Sequence, residues 1–386
     1  MKLPFTGRAS ASAPFPLPDG RAGETKSTPL VALELARQAS FTAPDFASLC
    51  REGFANNPVV YRCVRMIAES AASVPLTGAQ LPNGAMEALE RFHGYLQVAG
   101  AAYLQAVVLD GDVVALRALR PDTVKALGDA QGRPAGYEVA ADLSRSNRGR
   151  AVHRRDPLTG RCAVMGLALF NPMDEANGQS PLRAAATSVD LHNQGTRWAK
   201  GLLDNSARPS GALVYDGAGT LTREQLESMK AELEQGFTGP ARAGRPMVLE
   251  GGLDWKTMGM SPSDMDFTQG RREAARDIAL AFGVPPMLLG IPGDNTYANY
   301  AEANRAFWRQ TVLPLVARTA RALSVWLSAF GEEAALSPDL DAVPALSGER
   351  SALWARLEAA SFLDEDERRA FAGLPPHPKH NGGTIQ

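Results

Sequence analysis

The stretch from Ser261 to Pro314 constrains this chain most: SPSDMDFTQGRREAARDIALAFGVPPMLLGIPGDNTYANYAEANRAFWRQTVLP. It spells helix, hard stop, polar loop, helix. Ser261 reads as an N-cap, and Pro262 stands at the first helical position, where its missing N–H costs nothing. Asp264 sits where a capping-box acid sits and favours the positive helix end. Phe267, Ala274, Ile278 and Phe282 recur at three-to-four spacing and give one apolar face. Arg271, Arg272, Glu273, Arg276 and Asp277 fill the rest. Gly283 suits a left-handed C-cap, and Val284-Pro285-Pro286 cannot continue a helix. A polar loop from Gly290 to Asn295 follows. A second helix begins near Thr296, with Tyr297, Tyr300, Asn304, Phe307, Trp308 and Thr311 on one side.

A chain of 386 residues holds two or three domains or one elaborate one. Its 45% hydrophobic and 21% charged content is that of a chain with a buried core. A formal net charge of −2 excludes a polycation built to wrap nucleic acid. Cys50, Cys63 and Cys162 have no paired-ligand spacing, which argues against a structural zinc and a disulfide framework. No apolar run reaches the ~18 residues of a membrane span. No basic region followed by an apolar run marks a secretory signal at the N-terminus.

Residues 1 to 45 are rich in Pro, Ser, Thr, Ala and Gly and read as a flexible arm. Asn57-Pro58 opens a helix to about Ala72, striped by Val60, Val64, Ile67 and Ala71. The period then shortens to that of strands. Tyr103, Gln105, Val107 and Leu109 alternate, Asp110-Gly111 turns the chain, and Val113 to Leu116 returns it. Tyr137-Glu138-Val139 is a further strand. Arg145 to Arg155 is a basic run; Arg148, Arg150, Arg154 and Arg155 suit contact with a phosphate backbone, and equally a solvated loop. Ser180-Pro181 repeats the Ser-Pro helix start, for a helix to about Asn205 that spans about 40 Å. It carries one apolar line through Leu182, Ala185, Val189, Thr196, Ala199 and Leu203, and another through Leu191, Trp198 and Leu202. Two lines imply two packing partners. Between the two Ser-Pro helices lies a small α/β insert. Its strands fall at Gly211–Tyr215 and Pro246–Glu250, with a further stretch at Leu253–Thr257. Its helix opens on the capping-box run Thr222-Arg223-Glu224-Gln225. Pro314 interrupts a later helical pattern, so a helix kinks there or two helices abut. Helices at Ser347–Ala360 and Leu363–Ala372 close the pattern, and residues after His377 read as loose.

No Lys-Ser/Thr phosphate loop, His-Glu-x-x-His or Gly-x-Ser-x-Gly occurs. His93, His153, His192, His377 and His380 are scattered. The strongest case for catalysis is a carboxylate metal site on Asp264, Asp266, Glu273 and Asp277, as in a metal-dependent nuclease or other DNA-processing hydrolase. Asp266, Glu273 and Asp277 share a helical face, but Arg271, Arg272 and Arg276 alternate with them, which is also the pattern of solvated ion pairs.

The ordered pattern SPSDMDF…R…IALAFGVPPMLLG…DNTYANYAEANRAFWRQTVLP resembles the core of the portal proteins of tailed double-stranded DNA bacteriophages and gene transfer agents. NPVVYRCVRMIAESAASVPL, LRPDTV and LDEDERRAFAGLPP resemble further parts of that family, so the likeness runs from Asn56 to Pro376. It implies an α+β portal fold assembled as a ring. Residues 1–45 are then an N-terminal arm, 46–179 the first part of a β-rich wing, 180–205 a stem helix and 206–260 the clip. A second stem helix takes 261–283, the tunnel loop 284–299, the rest of the wing with a kinked long helix 300–346, the helical crown 347–376, and a loose tail 377–386. The resemblance implies a dodecameric, non-enzymatic channel at one capsid vertex, assembled in the host bacterial cytoplasm, with no cofactor. Its implied partners are itself, double-stranded DNA, the terminase large subunit, the major capsid protein and a head–tail adaptor. Ile291, Asp294, Asn295, Thr296 and Asn299 would line the channel, and Arg223, Glu227 and Lys230 would dock other machines.

Overall fold

The computed structural model describes residues 42–128, 134–140, 149–174, 177–204, 211–215, 222–225, 227–228, 253–257, 267–292, 297–331 and 335–374. The chain divides into two units, Met1–Ser40 and Phe41–Gln386, and the described residues lie in the second.

After a single helical turn at Phe46–Ser48, a π-helical segment, Leu49–Ala55, leads into α1, Pro58–Ser73. Asn57 is the N-cap of α1; its side-chain oxygen accepts from the amides of Val59 and Val60 at 3.0 and 3.1 Å. Val60, Cys63, Val64, Ile67 and Ala71 are buried, as the stripe requires. α2, Ala85–Ala99, packs on α1 and was not anticipated from the sequence. Its buried Leu89, Phe92 and Leu96 repeat at helical spacing, but no Ser, Thr, Asp or Asn caps it; its N-cap is Gly84.

The antiparallel β region takes two sheets. One has the order β3-β2-β7, with β2 Ala101–Leu109, β3 Asp112–Leu119 and β7 Val164–Ala168. The other has the order β4-β5-β6, with β4 Val124–Gly128, β5 Pro134–Ala140 and β6 Arg150–Arg154. Tyr103 of β2 meets Tyr137 of β5 edge to face, ring centroids 5.6 Å apart, in a small separate core. β1, Leu76–Thr77, pairs with β10, Ser337–Pro338.

Ser180 caps the turn Pro181–Ala184 through its hydroxyl, which accepts from the Arg183 amide at 3.2 Å. A turn at Ala185 then precedes α3, Ala186–Asp204, so the expected single long helix has a local break, although the Val189 amide still bonds the Ala185 carbonyl at 2.9 Å. Of its two apolar lines, Leu182, Ala185 and Val189 are buried, whereas Leu191 is 62% exposed and Trp198 37%. β8, Gly211–Tyr215, pairs antiparallel with β9, Leu253–Thr257. Thr222 and Gln225 form the reciprocal bonds of a capping box, at 3.0 and 3.3 Å. The strand expected at Pro246–Glu250 lies outside the described residues.

α4, Phe267–Phe282, lies against α3. Beyond a 3₁₀ turn, Pro286–Leu289, come α5, Tyr297–Phe307, and α6, Leu313–Ser328. The interruption expected at Pro314 is a π-helical segment, Trp308–Val312, immediately before α6, with the proline in the first turn of α6, where its missing N–H is tolerated. The main core gathers α1, α2, the start of α3, α4 and α6 around Ile67, Phe92, Leu182, Ile278 and Leu323, all 1% exposed or less. α7, Ser347–Ala359, and α8, Glu365–Ala372, follow. Arg350 joins them to the preceding loop, donating to both carboxylate oxygens of Asp341 at 2.5 and 2.8 Å and to the Ala372 carbonyl at 2.9 Å.

Candidate functional site

The chain leaving α4 is held at successive points. Gly283 is left-handed, φ 66°, and a Cβ there would stand 2.8 Å from the Thr311 hydroxyl, which donates to the Gly283 carbonyl at 2.6 Å. Ile291 donates its amide to the Pro286 carbonyl at 3.2 Å, and its side chain is buried. Ile291 therefore anchors the base of the loop. Arg276 donates from Nη2 to the Pro292 carbonyl at 2.8 Å and from Nη1 to Glu273 at 3.0 Å. Asn299, on the first turn of α5, is exposed. Asp294, Asn295 and Thr296 lie outside the described residues.

The carboxylates considered for a metal are engaged differently. Glu273 accepts from Gln269 at 2.7 Å as well as from Arg276. Asp277 accepts from Ser188 of α3 at 3.3 Å. Asp264 and Asp266 lie outside the described residues. Among the described residues, no group of three or more His, Cys, Asp or Glu side chains is placed to hold a metal ion. Burial pushes the Cys63 thiol up to about 12, which keeps it protonated and unreactive.

α3 is tied to α1 by a buried polar network that the sequence reading missed. The Asn57 amide nitrogen faces His192 Nδ1 at 3.3 Å and donates to Asn193 Oδ1 at 3.0 Å; Asn193 in turn donates to the Glu52 carbonyl at 2.8 Å. Arg197 pairs with the Glu52 carboxylate at 2.7 Å, and that bond holds the Glu52 carboxyl below its ordinary range. Burial, then the nearby Arg271 charge, lowers the His192 pKa.

The basic run is not a loop at its described end. Arg150 to Arg154 is the outer strand β6, and Arg150 pairs with Glu138 of β5 at 3.0 Å. Arg154 and Arg155 are exposed; Arg148 lies outside the described residues. Arg223 and Glu227 pair with each other at 3.4 Å, both exposed, one helical turn apart; Lys230 lies outside the described residues.

Paired α3 and α4, a clamped segment beyond them and two antiparallel sheets make up an α+β fold. The family model for phage portal protein matches residues 58–373, and the chain belongs to that family. An uncharacterized protein of Rickettsia bellii is 39% identical over 340 residues, 84% of this chain and 88% of its own length. A chain from the neck of an empty gene transfer agent particle, computed with C6 symmetry, is 45% identical; the match covers 88% of this chain and 96% of that one with a TM-score of 0.65. A chain from the native particle's neck, computed with C12 symmetry, is 46% identical over 87% of this chain and 95% of that one, with a TM-score of 0.64.

Proposed function

We propose that this chain assembles with copies of itself into a twelve-membered ring at one vertex of a virion or gene transfer agent capsid, and that double-stranded DNA enters and leaves through the ring. The observation that carries this is the 46% identity to a chain of a particle neck computed with C12 symmetry. In this reading α3 and α4 are the stem, the insert bearing β8 and β9 is the clip, the two three-stranded sheets belong to the wing, and α7 and α8 form the crown. The ring makes no covalent change to DNA. It assembles in the host bacterial cytoplasm, contacts the major capsid protein, docks the terminase large subunit through Arg223, Glu227 and Lys230, and later meets a head–tail adaptor. Arg148, Arg150, Arg154 and Arg155 contact the DNA backbone.

The loop between α4 and α5 faces the DNA in this reading. Asp294 repels phosphate and keeps DNA from sticking, while Asn295, Thr296 and Asn299 offer weak, exchangeable contacts. Each cation fixed near the backbone adds salt-dependent affinity, multiplied around a ring. Asp294→Arg is expected to assemble normally but to slow packaging or release, with relief at higher salt. Parental rates of DNA filling and delivery in low salt would show that this loop does not face DNA.

A further inference from the structure

The helix pair α7 and α8 has no apolar core of its own. α7 has 13 residues, none of them buried, and α8 has 8, of which Ala372 alone is buried. Helices this short are marginal in water unless an apolar face is covered. Polar clamps hold the pair in place instead. Arg350 bonds Asp341 and the Ala372 carbonyl, Glu349 pairs with Arg305 at 3.7 Å and Arg309 at 3.5 Å, and Arg368 donates to the Ala360 carbonyl at 2.9 Å. Two apolar features are left over. One is a groove of about 680 Å³ lined from both helices, with Trp354, Ala355, Leu357, Ala372 and Leu374 in its walls. The other is Phe371, 66% exposed, which does not line the groove. At 3.6 residues per turn, Phe371 projects about 100° round α8 from its groove-lining neighbour Ala372.

A hollow and a projection on different sides of one helix pair do not satisfy each other within the chain. They fit a second copy related by rotation, each copy filling the groove of the next, and such head-to-tail contacts generate a ring when the rotation closes. A face that met its own copy would stop at a dimer. We propose that the groove of α7 and α8 is the socket for the partner subunit's Phe371, so that each helix pair gains its missing apolar cover from the next copy around the ring. This deepens the ring reading above and rests on it. A phenyl ring is rigid and brings no polar group that needs a partner into the socket. Trp354 is already oriented in the wall: its indole N–H donates to Asp341 Oδ1 at 3.4 Å, the oxygen that also accepts from Arg350. Because Phe371 is exposed in the single chain, replacing it leaves the subunit's own packing intact.

The test places thiols on the two sides of the contact. Parent, Phe371→Cys, Ala355→Cys and the double variant are prepared as rings, treated with a short thiol-to-thiol crosslinker and run on a denaturing gel. Cys63 and Cys162 are buried and Cys50 is half-buried, so the parent sets the background. The double variant is expected to give a ladder of covalent multiples of 41.1 kDa running beyond the dimer, and each single variant no more than the parent. Rings without a ladder in the double variant would overturn the contact and leave the ring reading standing. A ladder that stops at the dimer would overturn the head-to-tail arrangement. Mass photometry on dilution gives a second readout: Phe371→Asp is expected to raise the fraction of chains lost from rings by about tenfold or more, with Phe371→Leu near the parent. Parental dissociation in Phe371→Asp would overturn the contact as one that holds the ring. A parent that is monomeric throughout would overturn the ring reading, and the contact with it.

Discussion

Asn57 and His192, 135 positions apart, are joined by a contact whose chemistry is fixed from both ends. Asn57 Oδ1 accepts from two amides at the start of α1, so its nitrogen must be the atom facing His192 Nδ1. His192 Nδ1 is therefore an unprotonated acceptor, and the neutral ring carries its proton on Nε2. Asn57→Ala removes a helix cap, worth ~1 kcal/mol, and strands buried acceptors on His192 and Asn193, each costing ~1–3 kcal/mol. A loss of about 3 kcal/mol or more is expected from denaturant midpoints at fixed protein concentration. A change under about 0.5 kcal/mol, the size of an ordinary surface substitution, would mean that the network does not join α1 to α3.

His93 supplies a pH dependence of known sign. Its Nε2 lies 3.1 Å from the Thr319 hydroxyl, which itself donates to the Leu315 carbonyl at 3.0 Å, so Nε2 bears the proton and Nδ1 is bare. Nδ1 is buried without a partner, and burial lowers the pKa from 6.5 to about 4. The unfolded chain thus binds the proton first as pH falls. The stability held above pH 6.5 is lost as pH drops from there to about 4, by roughly 3 kcal/mol. Unfolding measured across that window should show a shallower slope in His93→Gln than in the parent; identical slopes would contradict the assignment.

Gly195 sets how closely α3 and α4 approach. A Cβ there would stand 2.9 Å from Arg271 Cγ and 3.2 Å from Cδ. Gly195→Ala is expected to destabilise by up to about 2 kcal/mol, because overpacking costs ~1–3 kcal/mol against the ~1 kcal/mol helix preference of alanine. In an Arg271→Ala background the same change is expected to stabilise by up to ~1 kcal/mol. Equal effects in both backgrounds would show that the two residues do not limit the approach.

The sequence made local structure legible wherever the signal was local. Asn57-Pro58, Ser180-Pro181 and Thr222 with Gln225 start helices, and Asp110-Gly111 turns a hairpin, because each bonds or bends within four residues. α2 escaped because Gly84 gives no capping signal. β6 escaped because Arg150 to Arg154 reads as charge, and its strand character comes from pairing with β5. The Asn57–His192 contact and the Arg276–Pro292 bond were not legible, since only the fold brings their partners together. Burial of Ile291 was equally invisible: a lone apolar residue in a polar loop does not say which way it faces.

The central claim is the closed ring, and the mass of the purified protein tests it most directly. Mass photometry at micromolar concentration, in several salts, is expected to find a species near twelve times 41.1 kDa. Particle images of that species should show a closed ring with a central opening. A strictly monomeric 41.1 kDa species in every salt would contradict the account.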